Sequence, residues 1–315
     1  MKHMRSRTVF YHGILLLIAA VLSLAPPRAA AAEKLIGVIM TGNVPYYREI
    51  QKTFAQTLQA GGIDPDTAQV VVQSPAPEPM SWTNAARKLV AIGSDVIVSY
   101  GAPATIAVLN ETSDIPVVFA GVFDPQAVGI AGSNVTGISS KIPLTSLVKN
   151  FKSIDNFQKL GVVFNASEKD TVIQAREIEG LESSFGFHSV RFDIRRAEDT
   201  RKISNVDALF LTTSCAAMHC VDNIMAIARR EKIPTASTMG GEEDQGVILT
   251  IAANPYEQGR EAARLAARLM KGAKPSSIPM ESPKKVDMIV NLKEAMNMGL
   301  KVPFDLLTSA TKVIK

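Results

Sequence analysis

Side chains able to do acid–base or nucleophilic chemistry are few in this sequence and lie far apart. After residue 32 the histidines are His188 and His219, and neither is expected at the mouth of a site. The spacings Gly-x-Ser-x-Gly, His-Glu-x-x-His and the Walker phosphate loop, which build a nucleophile, a zinc centre or a nucleotide site, do not occur. We therefore expect no catalytic residue and no cofactor, and binding is the chemistry to look for.

The two cysteines, Cys215 and Cys220, leave two interpretations open. In an oxidising compartment they could form a disulfide. If Cys215 begins a helix, however, the five-residue spacing points the thiols to different faces, so two buried free thiols are an equal alternative. A metal site is not favoured, because His219 is the one nearby histidine and no second cysteine pair supports zinc.

A carboxylate, Asp124, follows an apolar run at residues 115–122 and precedes a proline. The dipeptide Asp-Pro commonly initiates a turn, and a carboxylate placed here could also act as a catalytic acid or hold a ligand. No base or nucleophile lies near it in sequence, so catalysis is the least favoured role. The other two roles are compatible, and we expect Asp124 to line a ligand cleft.

Apolar, strand-like runs alternate with amphipathic helical stretches in two series, which are separated by a break near residues 139–145. The expected strands are 35–40, 68–73, 95–101 and 115–122 in the first series, and 159–165, 189–194, 207–213, 233–239 and 247–253 in the second. Short apolar strands joined by helices of about 10–15 residues are typical of parallel βαβ units. The two series predict an α/β protein with two Rossmann-like lobes rather than one barrel, and the tail adds one strand and a short helix.

The carboxyl ends of these strands are the places to look for a binding site. In open parallel sheets, ligands bind beyond those ends, where helix N-termini expose amide donors. The candidate ligand-binding residues selected in this way are Thr41, Asn43, Tyr46, Tyr47, Tyr100, Gly101, Ala102, Pro103, Ala104, Phe123 and Asp124 in the first lobe, and Asn165, Ser214, Cys215 and Met239 in the second.

Several of these residues also have a purely structural interpretation. Gly101 allows a tight turn whether or not the amides of residues 102–104 bind an anion. Adjacent tyrosines cannot both pack the same way, so we expect one of Tyr46 and Tyr47 to face the cleft. Asn165 is best explained as a helix cap.

The N-terminus has the composition of a secretory signal peptide. Basic residues precede an apolar run at 14–24, which is too short to span a bilayer, and alanines at 30–32 offer a cleavage site near Ala32. The lysine and arginines of this leader account for the whole formal charge of +4, so the mature chain is near neutral and shows no basic footprint for nucleic acid. We expect an exported, periplasmic protein.

Several segments of the sequence resemble those of one family. They are IPVVFAGVFDPQAVGI with NVTGIS, DVIVSYGAPATIAVL, YEQGREAARLAARLMKGAKPSSIPM and VDMIVNLKEAMNMGLKVP. The resemblance is to the ABC-transporter substrate-binding proteins of the tryptophan/tyrosine-binding type, and it extends over residues 35–310. That family has the type I periplasmic-binding-protein fold, in which two lobes with parallel sheets are joined by a three-crossover hinge.

The resemblance implies a division of the chain and a mode of action. The N-terminal lobe would comprise residues 33–142 and about 253–280, and the C-terminal lobe residues 143–252 and about 281–315. The lobes would close on a small-molecule ligand and deliver it to a membrane permease. The turn at residues 101–104 would hold a ligand carboxylate, and a monomer suits such a binder.

The sequence departs from that family in two places that bear on the ligand. Ala102 stands where a threonine is usual, which removes a hydroxyl donor. Residues 211–218 read LTTSCAAM where members commonly carry Asp, Asn and Thr against an amino group. A buried ammonium without a partner is unfavourable, so we expect an aromatic or carboxylate-bearing ligand rather than a standard amino acid, although it could still be amino-acid-like. Two alternatives stay open: a periplasmic sensor for a membrane receptor, and a secreted α/β enzyme.

Overall fold

The computed structural model describes residues 34–65, 67–241 and 243–315, so the expected leader and its cleavage site lie outside the described residues. The strands of this part of the chain form two sheets. Those of the first sheet are β1 Lys34–Met40, β2 Ala68–Gln73, β3 Val96–Tyr100, β4 Val117–Val122 and β5 Val135–Ser139. Those of the second are β6 Lys159–Phe164, β7 His188–Asp193, β8 Ala208–Leu211, β9 Thr235–Ser237, β10 Leu249–Ala253, β11 Val286–Asn291 and β12 Lys312–Ile314.

Helices connect the strands and cover the sheets. They are α1 Pro45–Ala60, α2 Pro79–Ala91, α3 Ala102–Glu111, α4 Leu144–Ile154, α5 Lys169–Glu179, α6 Glu182–Phe185, α7 Cys215–His219, α8 Val221–Glu231, α9 Pro255–Met270, α10 Leu292–Asn297 and α11 Phe304–Ser309, with short 3-10 helices at Ala197–Lys202 and Pro275–Ser277. Proline opens α1, α2 and α9, because the first helical residue needs no N–H donor. Within the described ranges, no helix is long and apolar enough to cross a membrane.

The first sheet has the strand order β2-β1-β3-β4-β5, and every neighbouring pair is parallel. Strands β3, β4 and β5 are buried along their whole length, as continuous apolar runs are when both faces of a sheet are covered. Helices α1 and α9 pack on one face, and α2 and α3 pack on the other. The first sheet also contains a fifth strand, β5, which lies between the fourth expected strand and the expected break and was not predicted.

The second sheet has the order β12-β11-β10-β9-β8-β6-β7 and defines the second lobe. Its pairs are parallel except for β10 with β11, which is antiparallel. The tail forms β11, β12, α10 and α11, so the expectation of one strand and one helix there is wrong. The antiparallel pair arises because the chain returns from the first lobe just before β11 and enters the sheet from the opposite end.

The chain crosses between the sheets three times: after β5, after β10 and before β11. The first and third crossovers pair through an isolated parallel bridge between Ile138 and Glu281. Glu257, in the first turn of α9, accepts the amides of Lys284 at 3.0 Å and Lys285 at 2.8 Å and so joins the second crossover to the third. These crossovers are the hinge strands of the type I periplasmic-binding-protein fold.

Two consecutive residues fix α9 to the first lobe. The buried side chain of Gln258 accepts the Gly121 amide at 2.8 Å and donates to the Ser139 main-chain oxygen at 2.9 Å. A Cβ added at Gly259 would lie 2.5 Å from the main-chain oxygen of Ile50, so the backbones of α1 and α9 touch at this point. Helix α9 therefore belongs to the first lobe although it follows most of the second lobe in sequence.

Candidate functional site

The carboxyl ends of β1 and β3 meet at Thr41, whose side chain is buried. Its hydroxyl donates to the main-chain oxygen of Tyr100 at 2.8 Å and accepts the Ala104 amide at 3.3 Å. Its main-chain oxygen accepts a hydrogen bond from Trp82 Nε1 at 2.7 Å. Thr41 thus joins the ends of two strands to the starts of α2 and α3, and together they form the first-lobe wall of the cleft.

Helix α3 begins at a glycine in the left-handed region, with φ of 87° at Gly101. A Cβ there would lie 2.3 Å from the hydroxyl of Tyr47, so a larger residue does not fit. Among the amides predicted to bind an anion, Pro103 has no N–H, and the N–H of Ala104 is already bonded to the threonine. The N–H of Ala102 is the donor of this turn that could meet an anion.

The neighbouring tyrosines of α1 point in different directions. Tyr47 stacks on Tyr100 with ring centroids 6.4 Å apart, and its hydroxyl lies at the start of α3. Burial raises the pKa of Tyr46, and the charge of Asp287, beside the hinge, raises it further. Tyr100 donates its hydroxyl to Gln51 at 2.7 Å inside the first lobe. The structure therefore places the Tyr47 hydroxyl at the start of α3 and Tyr100 inside the first lobe.

Two buried carboxyl groups lie at the facing edge of the second lobe, and sequence reasoning did not select either. The first, Glu168, accepts hydrogen bonds from Ser214 Oγ at 2.9 Å and from the amides of Cys215 at 2.9 Å and Ala216 at 3.1 Å. Burial raises the pKa of Glu168 to about 8, and the neighbouring Asp170 contributes to the increase. Glu168 is a structural group that ties the turn after β6 to the start of α7.

The second buried acid, Asp170, is in the first turn of α5 and is 1% exposed. Its Oδ2 accepts from Thr213 Oγ1 at 3.3 Å, and that hydroxyl accepts in turn from Gln174 Nε2 at 2.6 Å. Its Oδ1 is buried without a hydrogen-bond partner among the described residues. Burial raises the pKa of Asp170 to about 7. Burial also raises the pKa of Tyr47 on the first lobe, and the charges of Cys215 and Asp170 on the second lobe add to that increase.

The other predicted residues of the second lobe are buried at the same edge. Asn165 Oδ1 accepts the Ser167 amide at 2.8 Å, which is the cap expected of it. Cys215 opens α7, and both cysteines are buried free thiols rather than a disulfide. Burial raises the pKa of Cys215 well above its ordinary value, so the thiol is unreactive. Met239 is also buried, and its amide donates to Ser237 Oγ at 3.0 Å.

Phe123 and Asp124 lie at the hinge, apart from the residues described so far. Asp124 accepts the Ala127 amide at 3.0 Å and pairs with Lys141 at 2.5 Å. Lys141 also pairs with Glu177 of α5 at 3.0 Å and lies 5.8 Å from the ring centre of Phe123. The structure therefore gives Asp124 a turn and an ion pair that reaches the second lobe, while its contact with a ligand stays a prediction.

The two lobes touch where β1 ends and α7 begins. A Cβ added at Gly42 would lie 2.9 Å from the Cβ of Cys215. At the rim of this contact, Nε2 of His219 is 3.4 Å from the main-chain oxygen of Asn43. The expectation that neither histidine lies near the site is wrong for His219, because α7 is only five residues long and its last residue still faces the first lobe.

A cavity of about 170 Å³ lies between residues of the two lobes. Trp82 and Pro103 line it from the first lobe, and Ser167 and Lys169 line it from the second. Trp82, the single tryptophan of the chain, follows the end of β2, so the rule that selected the other candidates would also have selected it. The same rule would have found Glu168 and Asp170, which follow the end of β6 within six residues.

Comparisons with known proteins agree with this architecture. Residues 36–314 match the family model described as ABC transporter substrate binding protein. A conserved domain protein from Vibrio cholerae has 22% identity and a TM-score of 0.85, over 89% of this chain and 99% of that chain. An ABC domain in complex with L-Trp from Streptococcus pneumonia has 22% identity and a TM-score of 0.85, over 90% of this chain and 100% of that chain.

More distant similarity extends to other binding proteins. The ligand-free, open structure of a substrate-binding protein with adhesive properties from Clostridium difficile has 21% identity and a TM-score of 0.64, over 90% of this chain and 99% of that chain. The curated proteins contain no match. Within residues 34–65, 67–241 and 243–315, no group of three or more His, Cys, Asp or Glu side chains could hold a metal ion.

The fold and the cleft define a two-lobed binding protein of the type I periplasmic-binding-protein class. The chain belongs to the family of ABC transporter substrate-binding proteins, since the family model covers most of its length. This is a family of solute-binding proteins and not a class of enzymes, and it implies a small-molecule ligand and a membrane permease as partners.

Proposed function

We propose that the protein captures a small solute between its lobes in the periplasm and delivers it to the permease of an ABC importer, without chemical turnover. The observation that carries the proposal is a set of buried polar groups from two lobes that face one another. Thr41, Tyr47 and the Ala102 amide belong to the first lobe, and Glu168 and Asp170 belong to the second. The lobes meet where Gly42 lies against Cys215, whose amide donates to Glu168. A few convergent polar groups in an otherwise apolar, enclosed space are typical of small-molecule sites.

The first-lobe wall suits an aromatic ligand that carries a carboxylate. Tyr47 and Trp82 offer apolar ring faces with polar tips, and Trp82 also lines the cavity between the lobes. The Ala102 amide at the start of α3 is placed to donate to an anion. The bound L-Trp of the similar Streptococcus structure supports a ligand of this class.

We further propose that the lobes hinge on the three crossovers and that the arrangement described here is the closed one. The lobe boundaries would be those expected from the sequence, near residues 142, 253 and 281. Contacts across the cleft support closure: Arg48 of α1 pairs with Glu243 of the second lobe at 2.5 Å, and Gly42 lies against Cys215. Closure around a ligand by a few hinge residues is a common response of two-domain binders.

Export and oligomeric state complete the proposal. The leader would be removed near Ala32, and the mature protein would act as a periplasmic monomer. Edman sequencing of protein recovered from the periplasm should begin at Glu33, and light scattering should give the mass of one chain. A chain that keeps its leader and stays with the cytoplasmic fraction would contradict the proposed location.

Ligand capture is tested by thermal denaturation of the mature protein against aromatic acids, amino acids, sugars and small heterocycles. A solute that binds only the folded state stabilises it by about 2.7 kcal/mol at a concentration of 100 Kd. Tyr47→Ala should reduce the response to the best solute, whereas Phe304→Ala, an exposed aromatic on α11, should leave it unchanged. If no solute raises the melting temperature, the binding function is refuted.

A further inference from the structure

The carboxylate of Asp170 has binding capacity that the folded chain leaves unused. The Oδ2 atom is bonded to Thr213, and the amides of Asp170 and Thr171 lie close enough to offset part of the rise in the pKa of the carboxyl, but Oδ1 is buried and makes no hydrogen bond within the described residues. Thr213 has one hydroxyl proton, and it accepts from Gln174 Nε2, so that proton is the one donated to Asp170. The Oδ2 atom of Asp170 is therefore held as an acceptor, and a buried Oδ1 atom left without a partner is unfavourable.

The other polar groups of this edge are already satisfied. Glu168 accepts three hydrogen bonds, from one hydroxyl and two amides at the start of α7. Gln174 uses both ends of its amide, because Oε1 accepts from Thr238 at 2.8 Å and from the Thr213 amide at 3.2 Å. Asp170 is thus the member of this network that can still accept a hydrogen bond from a bound molecule.

The edge also has a charge that the chain does not balance. Among the described residues, no lysine, arginine or histidine forms an ion pair within 4.0 Å of Glu168 or Asp170. The neighbouring Lys169 is exposed to solvent. A cation brought by a ligand would pair with the buried carboxylate and provide the missing hydrogen-bond donor at the same time.

We infer that Asp170 is the ammonium-binding group of the cleft and that the transported solute carries a protonated primary amine. This inference rests on the proposed solute-binding function and narrows its ligand class. The absence of an acid at residues 211–218 does not then prevent binding of an amino group, because Asp170, after β6, supplies the acid.

Amine binding should strengthen as pH rises. The titratable groups that interact with Asp170 from the elements around it are Glu168, the thiol of Cys215 and the hydroxyl of Tyr47. Burial raises the pKa of Asp170 to about 7 without a ligand, so at low pH the acid must lose a proton before it can pair with an ammonium. We expect a higher Kd for amines at pH 5.5 than at pH 8.

The inference is tested first on the wild-type mature protein, with pairs of solutes that differ by the amine alone. Thermal denaturation compares L-tryptophan with indole-3-propionate and L-tyrosine with its deaminated acid. Each remaining amino acid is likewise compared with its deaminated acid. Tryptamine, which has the amine but no carboxylate, is compared with L-tryptophan. A primary amine should stabilise the protein and its deaminated partner should bind at least about tenfold more weakly. Tryptamine distinguishes an amino acid from a simple amine as the ligand. If tryptamine and L-tryptophan bind equally, the ligand needs the amine and does not need the carboxylate.

The outcomes separate this inference from the proposed function. If amine-free acids, sugars or heterocycles bind as tightly as any amine, the ammonium site is refuted while solute binding stands. If no solute of any class stabilises the protein, both are refuted. If the ligand that co-purifies with the protein, released by denaturation and identified by mass spectrometry, has no basic nitrogen, the inference is also overturned.

The second test changes the residue itself. Asp170→Asn keeps an acceptor for Thr213 but removes the charge, and we expect the Kd of the best amine to rise about 10- to 100-fold. Asp193→Asn is the matched control, since Asp193 ends the neighbouring strand β7 and pairs with Arg195 at 2.9 Å. Unchanged amine affinity in folded Asp170→Asn would overturn the inference. If that variant does not fold, the solute pairs on the wild-type protein decide.

Discussion

The unliganded protein should lose stability as pH rises from 5 to 8, and Asp170→Asn should remove much of that loss. Burial raises the pKa of Asp170 from 3.8 to about 7. Between those values the folded chain keeps a proton that the unfolded chain has released. The contribution of the protonated acid is fully present below pH 3.8 and is lost as pH rises through about 7, which is the sign expected for an acid with a raised pKa.

The size of the effect follows from the two pKa values. At ~1.4 kcal/mol per pH unit, burial of Asp170 destabilises the folded protein by roughly 4 kcal/mol at pH 8 and by roughly 2 kcal/mol at pH 5. The advantage of Asp170→Asn over the wild type should therefore grow by about 2–3 kcal/mol between these pH values. Glu168 adds to this difference, because the charge of Asp170 contributes to its raised pKa of about 8 and is absent from the variant.

Urea denaturation at pH 5 and pH 8 measures the effect without a ligand. The free energy of unfolding is compared for the wild type, Asp170→Asn and the partly exposed, ion-paired control Asp193→Asn. Groups that do not interact with Asp170 titrate equally in all three proteins and cancel in the differences. If Asp170→Asn loses as much stability as the wild type between the two pH values, Asp170 is not the buried, uncompensated acid described above. A saturating amine should remove the wild-type loss as well.

Three further predictions concern packing and the cleft. Gly259→Ala should destabilise the protein by about 1–3 kcal/mol in urea, since its Cβ would lie 2.5 Å from the Ile50 main-chain oxygen; a neutral effect would show that α1 and α9 can separate. Gly42→Val should raise the Kd of the best-binding solute at least about tenfold, as measured by titration calorimetry. The added side chain would meet Cys215, whose Cβ would lie 2.9 Å from a Cβ at this position, and would hold the lobes apart. Unchanged affinity would contradict closure at this contact. Trp82, the single tryptophan, should change its fluorescence when a solute binds, and a flat titration with a solute shown to bind would place the ligand elsewhere.

Much of the architecture could be predicted from the sequence, because parallel strands that are covered on both faces have continuous apolar sequences. The expected strand at residues 68–73 coincides with β2, and the first sheet follows the predicted parallel pattern. The fifth strand escaped because Val135–Ser139 is short and includes Gly137, which reads as a loop. The antiparallel β11 also escaped, since its direction depends on a crossover from the other lobe and not on local pattern.

The candidate site was harder to predict, because the order of the strands in the sheets decides which strand ends lie next to each other. Choosing between Tyr46 and Tyr47 required the position of Gly101, against which the hydroxyls of Tyr47 and Thr41 pack. Asp124 looked like a cleft residue because it ends a strand on the correct side, but in the structure its oxygens pair with Lys141 and a turn amide at the hinge. A sequence shows where each strand ends and does not show which of the ends face the opposite lobe.

The buried acids Glu168 and Asp170 show the converse: the sequence did not select them, although they lie at the cleft edge of the second sheet. Residues 211–218, after β8, contain no acid, and from that the sequence suggested a cleft unable to bind an amino group. The sheet order places β6 next to β8, so the turn after β6 brings Asp170 against Thr213 and Glu168 against Ser214. An acid missing from one loop is therefore supplied by the loop beside it, on the same edge of the sheet. The amine proposed above as ligand follows from the acids of the whole sheet edge and not from one loop.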